Sequence, residues 1–514
     1  MKSISFQKIK PLISVICFLI LIYVVFQSLT YMMRGNNGDT IRGLYTEPEN
    51  TIDVLCVGPS SVYEYFTPLK AYHDYGFTSY DFGAGGIDAE LYPYLIKEAL
   101  KTQSPQVILA DVRKLLSAEH DEEIGAYFRN GSDAMKLSLN RIEGIHYFCE
   151  KNNIPDKNAL NTYLDIIFYH ANYDRLGEKN TWGYIDNVEP DKKKGSITPR
   201  PYVHFYDTPD ADTDEVSELS KMTTDILTDI INVCKDNGIE LVLTASPYII
   251  NEKLQKELNA MGAFAEENGI PFLDFNGKYN LIPVDFHCDF RNSRHFNVLG
   301  MEKYTEFICQ YLDEKYNLPD HRLDESYSGW NENADWYVEI FQEKKEECLK
   351  KVKEIEASSS KINALKATKS ITSWSSLSRD ENYTVFVVGD NTNNWELNDY
   401  DAQALEYIGM NKTIMQSDGF VGTYKADIFD YVIDDIKEGE AGDRTDLGDG
   451  EKIAYSLRNE DDPVIQIGDE EYRCSSNNEC IYLILMNNYQ LQIEDILVIT
   501  SNNGELVLNH IENK

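Results

Sequence analysis

The chain has 514 residues and a formal net charge of -38 at pH 7, from 86 acidic against 48 basic residues. So acidic a surface repels a phosphate backbone and excludes nucleic acid as a partner, while the length exceeds what one hydrophobic core sustains, so at least two folded units are expected. Nine cysteines are scattered, odd in number and without zinc-ligand spacing; only Cys474 and Cys480 are near neighbours, enough for one small closed loop.

Lys2, Lys8 and Lys10 precede an apolar run over residues 12–33, interrupted by Ser14, Gln27, Ser28 and Thr30. The run is long enough to cross a bilayer, and the segment after it lacks a small-x-small cleavage site, so it reads as a retained anchor rather than a cleaved signal. The positive flank puts the amino end in the cytoplasm and everything beyond about Arg34 outside. From Thr51 onward, β-rich runs at 52–57, 79–82 and 107–112 alternate with a helix at 89–102. The pattern resumes with a helix at 215–236, a strand at 239–244, a helix at 252–268, a strand at 271–275 and a closing helix at 297–316. This alternation predicts a parallel α/β sheet, in a domain over residues 50–325.

Residues 115–210 break the pattern and read as an insertion over the site. Its aromatic residues (Tyr127, Tyr147, Phe148, Tyr163, Tyr169, Tyr173, Trp182, Tyr184, Tyr202 and Tyr206) are expected to pack a small core of their own in preference to stacking on sugars. Residues 326–365 read as a charged helical spacer, with Ser358 to Ser360 and residues 366–378 as a polar hinge. Beyond it, strands at 384–388, 464–467, 481–486 and 495–500, separated by Asn, Asp and Gly, predict a β-rich accessory domain over 366–514. The acids of Asp443, Asp446 and Asp449 are three apart where an EF-hand needs two, so that loop reads as solvated and no metal site is expected.

The chemistry is concentrated in three places. Gly58-Pro59-Ser60-Ser61 ends the first strand with a turn that presents a serine at the carboxyl edge of the sheet, where α/β folds put their sites. A serine needs a base, an orienting group and oxyanion donors. Asp81-Phe82-Gly83-Ala84-Gly85-Gly86 supplies glycines for close backbone approach, Gly86 first and Gly83 second as donor. His295, in a loop before the closing helix, is the candidate base.

Together these segments resemble the SGNH (GDSL-like) hydrolase superfamily over residues 53–316, insertion excepted, and especially its membrane-anchored branch with the DltD-like and alginate O-acetylation proteins. The family's Gly-x-Ser block falls on Gly58-Pro59-Ser60, making Ser60 the implied nucleophile with Ser61 as the one-residue rival. Its Asn-x-Gly-x-x-Gly block falls on Asp81 to Gly86, with Asp for Asn. Its Asp-x-x-His block falls on Asn292-Ser293-Arg294-His295, and the anchored branch's His-x-Asn-x-x-Gly appears as His295-Phe296-Asn297-Val298-Leu299-Gly300.

The resemblance implies a flavodoxin-like three-layer sheet and a membrane-anchored, extracytoplasmic esterase or O-acyltransferase. It would act on acyl groups, acetyl foremost, of a cell-envelope polysaccharide, with a membrane protein as acyl donor and no cofactor. Two departures count against full activity. The third-block Asn is replaced by Asp111-Val112-Arg113, and Asn292 stands where the acid behind the histidine belongs, leaving Asp285 or Asp289 as substitutes. An alternative is a catalytically impaired scaffold of surface-polymer assembly, or a surface protein whose carboxyl-terminal domain binds. That domain faintly resembles the interleukin-like domain of some secreted signalling and bacterial surface polysaccharide proteins.

Overall fold

The computed structural model describes residues 6–34, 39–117, 127–154, 163–176, 191–204, 206, 208–278, 280–390, 392–433, 438–440, 453–456, 464–467, 470–473, 479–488, 492–502 and 505–511. Cys474, Trp182, Tyr184 and the acidic loop at 443–451 lie outside these residues, so the expectations about them do too. The chain divides into two compact units: Met1–Pro199 with Asp207–Asp285 and Arg294–Lys344, and Arg200–Tyr206 with Phe286–Ser293 and Lys345–Lys514.

The first unit begins with α1 (Phe6–Met33), in which Ile13–Met33 is long and apolar enough to cross a membrane. Its apolar side chains are exposed where a soluble core helix would bury them, Phe18 at 60% and Leu21 at 59% for example. Its far end is different in kind: Thr30, Met32, Met33 and Arg34 are buried, and Asn172 donates to the Met33 carbonyl at 3.2 Å.

The sheet follows the predicted alternation. Strands β1 (Val54–Gly58), β2 (Ser79–Gly83), β3 (Val107–Asp111), β4 (Glu240–Ala245) and β5 (Phe272–Asp274) are all parallel, in the order β2-β1-β3-β4-β5. Every residue of β1, β2 and β3 is buried, as a parallel sheet covered on both faces requires. Between the strands run α2 (Ser60–Tyr63), α3 (Pro68–Tyr75), α4 (Tyr92–Ala99), α5 (Leu139–Lys151) in the insertion, α6 (Lys221–Asn237), α7 (Glu252–Glu267) and α8 (Val298–Lys315). Helix α4 packs on α6, and α3 on α8. Helix α6 starts six residues later than its periodicity predicts because Ser220 caps it, accepting from Thr223 N–H; Gly238 ends it with φ at +67°. Because the chain leaves β1 toward β2 on one side and β3 on the other, the topological switch point falls at the carboxyl ends of β1 and β3.

Among the described rings of the insertion, Phe128 stacks on Phe148 with centroids 3.9 Å apart, and Tyr147 bonds Asp229 at 2.7 Å. Tyr173 is exposed.

The long helix α9 (Ser328–Ala367) runs through forty residues, and Ser358 to Ser360, expected as part of a polar hinge, are helical within it. In the second expected hinge segment the helix breaks over residues 368–370 and then resumes: α10 (Ile371–Ser378) buries Ile371 and Trp374, whose spacing gives a short helix an apolar stripe that outweighs its serines. In the second unit, β6 (Tyr383–Asp390), β7 (Gly419–Lys425), β8 (Ile428–Ile433), β9 (Cys480–Asn487), β10 (Gln492–Asn502) and β11 (Glu505–Ile511) form an antiparallel sheet in the order β8-β7-β6-β9-β10-β11. Alternation divides the central strands between two cores. Val385, Val387, Ile481, Leu483 and Leu485 join Trp374 and Leu405 on one face; Phe386, Val388, Tyr482 and Ile484 pack on the other. Residues 438–440, 453–456, 464–467 and 470–473 form a separate four-stranded sheet. Segments 200–206 and 286–293 pair through His204 N–H to the Phe290 carbonyl at 2.8 Å and Tyr206 N–H to the Phe286 carbonyl at 2.9 Å.

Candidate active site

Strand β1 ends at Gly58, where a side chain would collide with Val62 and Asp111, and Pro59, extended at φ -79° and ψ -155°, hands the chain to α2. This turn leaves Ser60 half-buried at the carboxyl edge of the sheet, while Ser61 points inward and is 2% exposed. The Ser60 hydroxyl lies 2.7 Å from His295 Nε2. The two residues are 235 positions apart in sequence. Ser61 Oγ has no hydrogen-bond partner among the described residues, so of the two serines the geometry pairs only Ser60 with an imidazole. At that distance the ring is placed to take the serine proton.

His295 is held from both sides in sequence. Asn297 is fully buried and caps α8, its Oδ1 accepting from Leu299 N–H at 2.9 Å and Gly300 N–H at 3.4 Å. On the other side, the Arg294 carbonyl accepts from Arg113 Nη1 at 2.9 Å and from the Tyr65 hydroxyl at 2.8 Å. Sequence reasoning noted Arg113 only as part of a departure from the family pattern and passed over Tyr65. An arginine at the carboxyl end of a strand, two residues after Asp111, is the signal that was there to read.

The glycine segment divides by role. Gly83 pairs in register with Gly58, and a Cβ on it would run into the Gly58 carbonyl, so its glycine serves the close approach of β1 and β2. Gly86 has φ at +65°, and the Tyr127 ring lies against its Cα. The Gly85 carbonyl accepts from Asn130 Nδ2 at 2.6 Å, so the Gly86 N–H, on the opposite side of the same planar peptide, points away from that bond. The N–H of Ser60, first in its helix, has no intrahelical acceptor.

Asp285 falls in the first unit; Asp289 and Asn292 fall in segment 286–293, which belongs to the second. Asp289 is fully buried.

Beside the site, Asp81 on β2 faces Cys56 in register and is fully buried. Its oxygens meet no donor among the described residues stronger than the Cys56 thiol, and burial, with Asp191 adding to it, pushes the carboxyl well above the ordinary range. Burial likewise raises the Tyr65 hydroxyl, which stays a neutral donor. Lys114 is buried, 3.9 Å from Asp88 and 5.2 Å from the Tyr127 ring centroid. Among the described residues no group of three or more His, Cys, Asp or Glu is arranged to hold a metal ion.

No family model and no curated protein matches the chain.

Proposed function

We propose that the chain is a membrane-anchored, extracytoplasmic serine esterase or O-acyltransferase of SGNH type. Its substrates would be acyl groups, acetyl foremost, on a cell-envelope polysaccharide. The observation that carries this reading is the 2.7 Å contact of Ser60 Oγ with His295 Nε2 at the carboxyl edge of a parallel sheet. The strand order β2-β1-β3-β4-β5 supports the flavodoxin-like core that such enzymes use. The apolar helix at the amino end supports anchoring, with the bulk of the chain outside.

In this mechanism Ser60 Oγ attacks the ester carbonyl carbon while its proton passes to His295 Nε2. The N–H groups of Ser60 and Gly86 hold the oxyanion; collapse of the intermediate expels the sugar alkoxide, which takes the proton back from His295. Water or a second sugar hydroxyl then gives its proton to His295 and attacks the acyl-serine; the bond to Ser60 Oγ breaks, Oγ takes the proton back from His295, and the carboxylic acid or new ester leaves. A membrane acyl-donor protein would fill the place of the first ester in the transfer version.

A second reading, a scaffold that keeps the fold without the chemistry, is favoured by Asn292 in place of an acid and by Arg113 near the position of the third-block Asn. Acetate release from acetylated xylo-oligosaccharides separates the two. The esterase reading expects release by the full chain in detergent and none by Ser60→Ala. Equal, background-level release from both leaves only the scaffold.

A further inference from the structure

We propose that Arg113 is a positioning residue for His295, acting through the main chain: its guanidinium clamps the Arg294 carbonyl and so fixes the peptide from which the imidazole hangs. This inference rests on the esterase reading and says how that site holds its base.

Arg113 is 4% exposed, two residues beyond the end of β3, and each of its ends is fixed. Its backbone N–H donates to Asp111 Oδ1 at 3.0 Å, and the Asp111 carboxylate is itself held by Ser246, through Oγ at 2.8 Å and N–H at 3.2 Å. Its guanidinium lies over the Tyr248 ring, 3.9 Å from the centroid, and Tyr248 N–H is tied to Asn276 Oδ1 at 3.1 Å. From that seat Nη1 reaches the Arg294 carbonyl. A charged donor on a neutral carbonyl in a buried site makes one of the stronger hydrogen bonds available.

Tyr65 contributes less. Its one proton is shared between the Arg294 and Pro247 carbonyls, at 2.8 and 2.7 Å. Its ring packs on Phe296 with centroids 4.5 Å apart and edge-on to Tyr304 at 5.7 Å, which pins the far side of His295. Because the Arg294 carbonyl and the His295 N–H belong to one planar peptide, holding the oxygen sets the direction in which the His295 backbone leaves it. The ring meets Ser60 only if that direction is kept.

The test uses p-nitrophenyl acetate turnover by the full chain in detergent, with thermal unfolding of every variant. Arg113→Gln is expected to lower kcat by roughly a hundredfold with KM within about twofold, the signature of a misplaced base and an intact binding site. Arg113→Lys, which keeps one cationic donor, is expected to recover part of the loss. Tyr65→Phe, which keeps the ring and its packing, should lower kcat by about three- to tenfold, and it carries the test if the Arg113 variants do not fold. Unchanged kcat in Tyr65→Phe and in folded Arg113 variants, or a loss in which KM and unfolding temperature move with kcat, overturns the inference while leaving the esterase reading standing. No turnover by the parent removes both.

Discussion

His295 in the first unit and His510 in the second both meet oxygen at short range, yet the partners differ. His510 Nδ1 lies 2.8 Å from the Asp495 carboxylate and its Nε2 2.7 Å from the Thr368 carbonyl. Both ring nitrogens are engaged by oxygens of the fold, so the ring joins β11 to β10 and to the end of α9. His295 Nε2 meets an alcohol, which does have a proton to give. A histidine with a carboxylate beside it is therefore a poor marker of catalysis; what sits on the other nitrogen decides.

The strongest way to break this comparison is to remove each ring in turn. His295→Ala is expected to lower ester hydrolysis by at least a thousandfold, and His510→Ala to leave it within about twofold. If hydrolysis tracks His510 instead, the assignment is reversed.

Stability should depend on His510. His510→Ala strips a buried carboxylate of its main partner, leaving Asp495 with Trp374 Nε1 at 3.4 Å. It is expected to cost the second unit about 1–3 kcal/mol in urea unfolding.

Two buried acids sharpen the contrast further. Asp495 has His510 and Trp374; among the described residues Asp81 has only the Cys56 thiol, and its carboxyl is raised well above the ordinary range by burial. Folded Asp81 keeps its proton while the unfolded chain loses it above about pH 4, so this group's contribution to stability is present at low pH and falls as pH rises toward the folded value. Asp81→Asn, which restores the amide of the family pattern, should flatten that decline between pH 5 and pH 8, read from unfolding temperatures. A variant that tracks the parent across this range contradicts a protonated Asp81. The smallest expected effect is at the neighbouring serine: Ser61→Ala should leave hydrolysis within about threefold, whereas Ser60→Ala abolishes it.

The parallel sheet was legible because its strands are short, apolar and punctuated by Gly and Pro, and the Ser60 turn was legible for the same reason. The Ser60 to His295 pairing needed the family pattern, since nothing local to either residue points to the other. Arg113 escaped as a clamp because its target is a main-chain oxygen 181 positions away, which no side-chain pattern encodes. In the second unit, β11 exposes and half-buries alternate residues and so carries a weak apolar signal, and β8 is largely exposed. Helix α10 was hidden by its four serines until Ile371 and Trp374 found a core to enter.

The most direct test is to treat the purified chain with a fluorophosphonate and map the adduct by mass spectrometry. The account predicts a single modified serine, Ser60, with labelling lost in His295→Ala and kept in His510→Ala. An adduct on Ser61 or elsewhere, or labelling indifferent to His295, contradicts it.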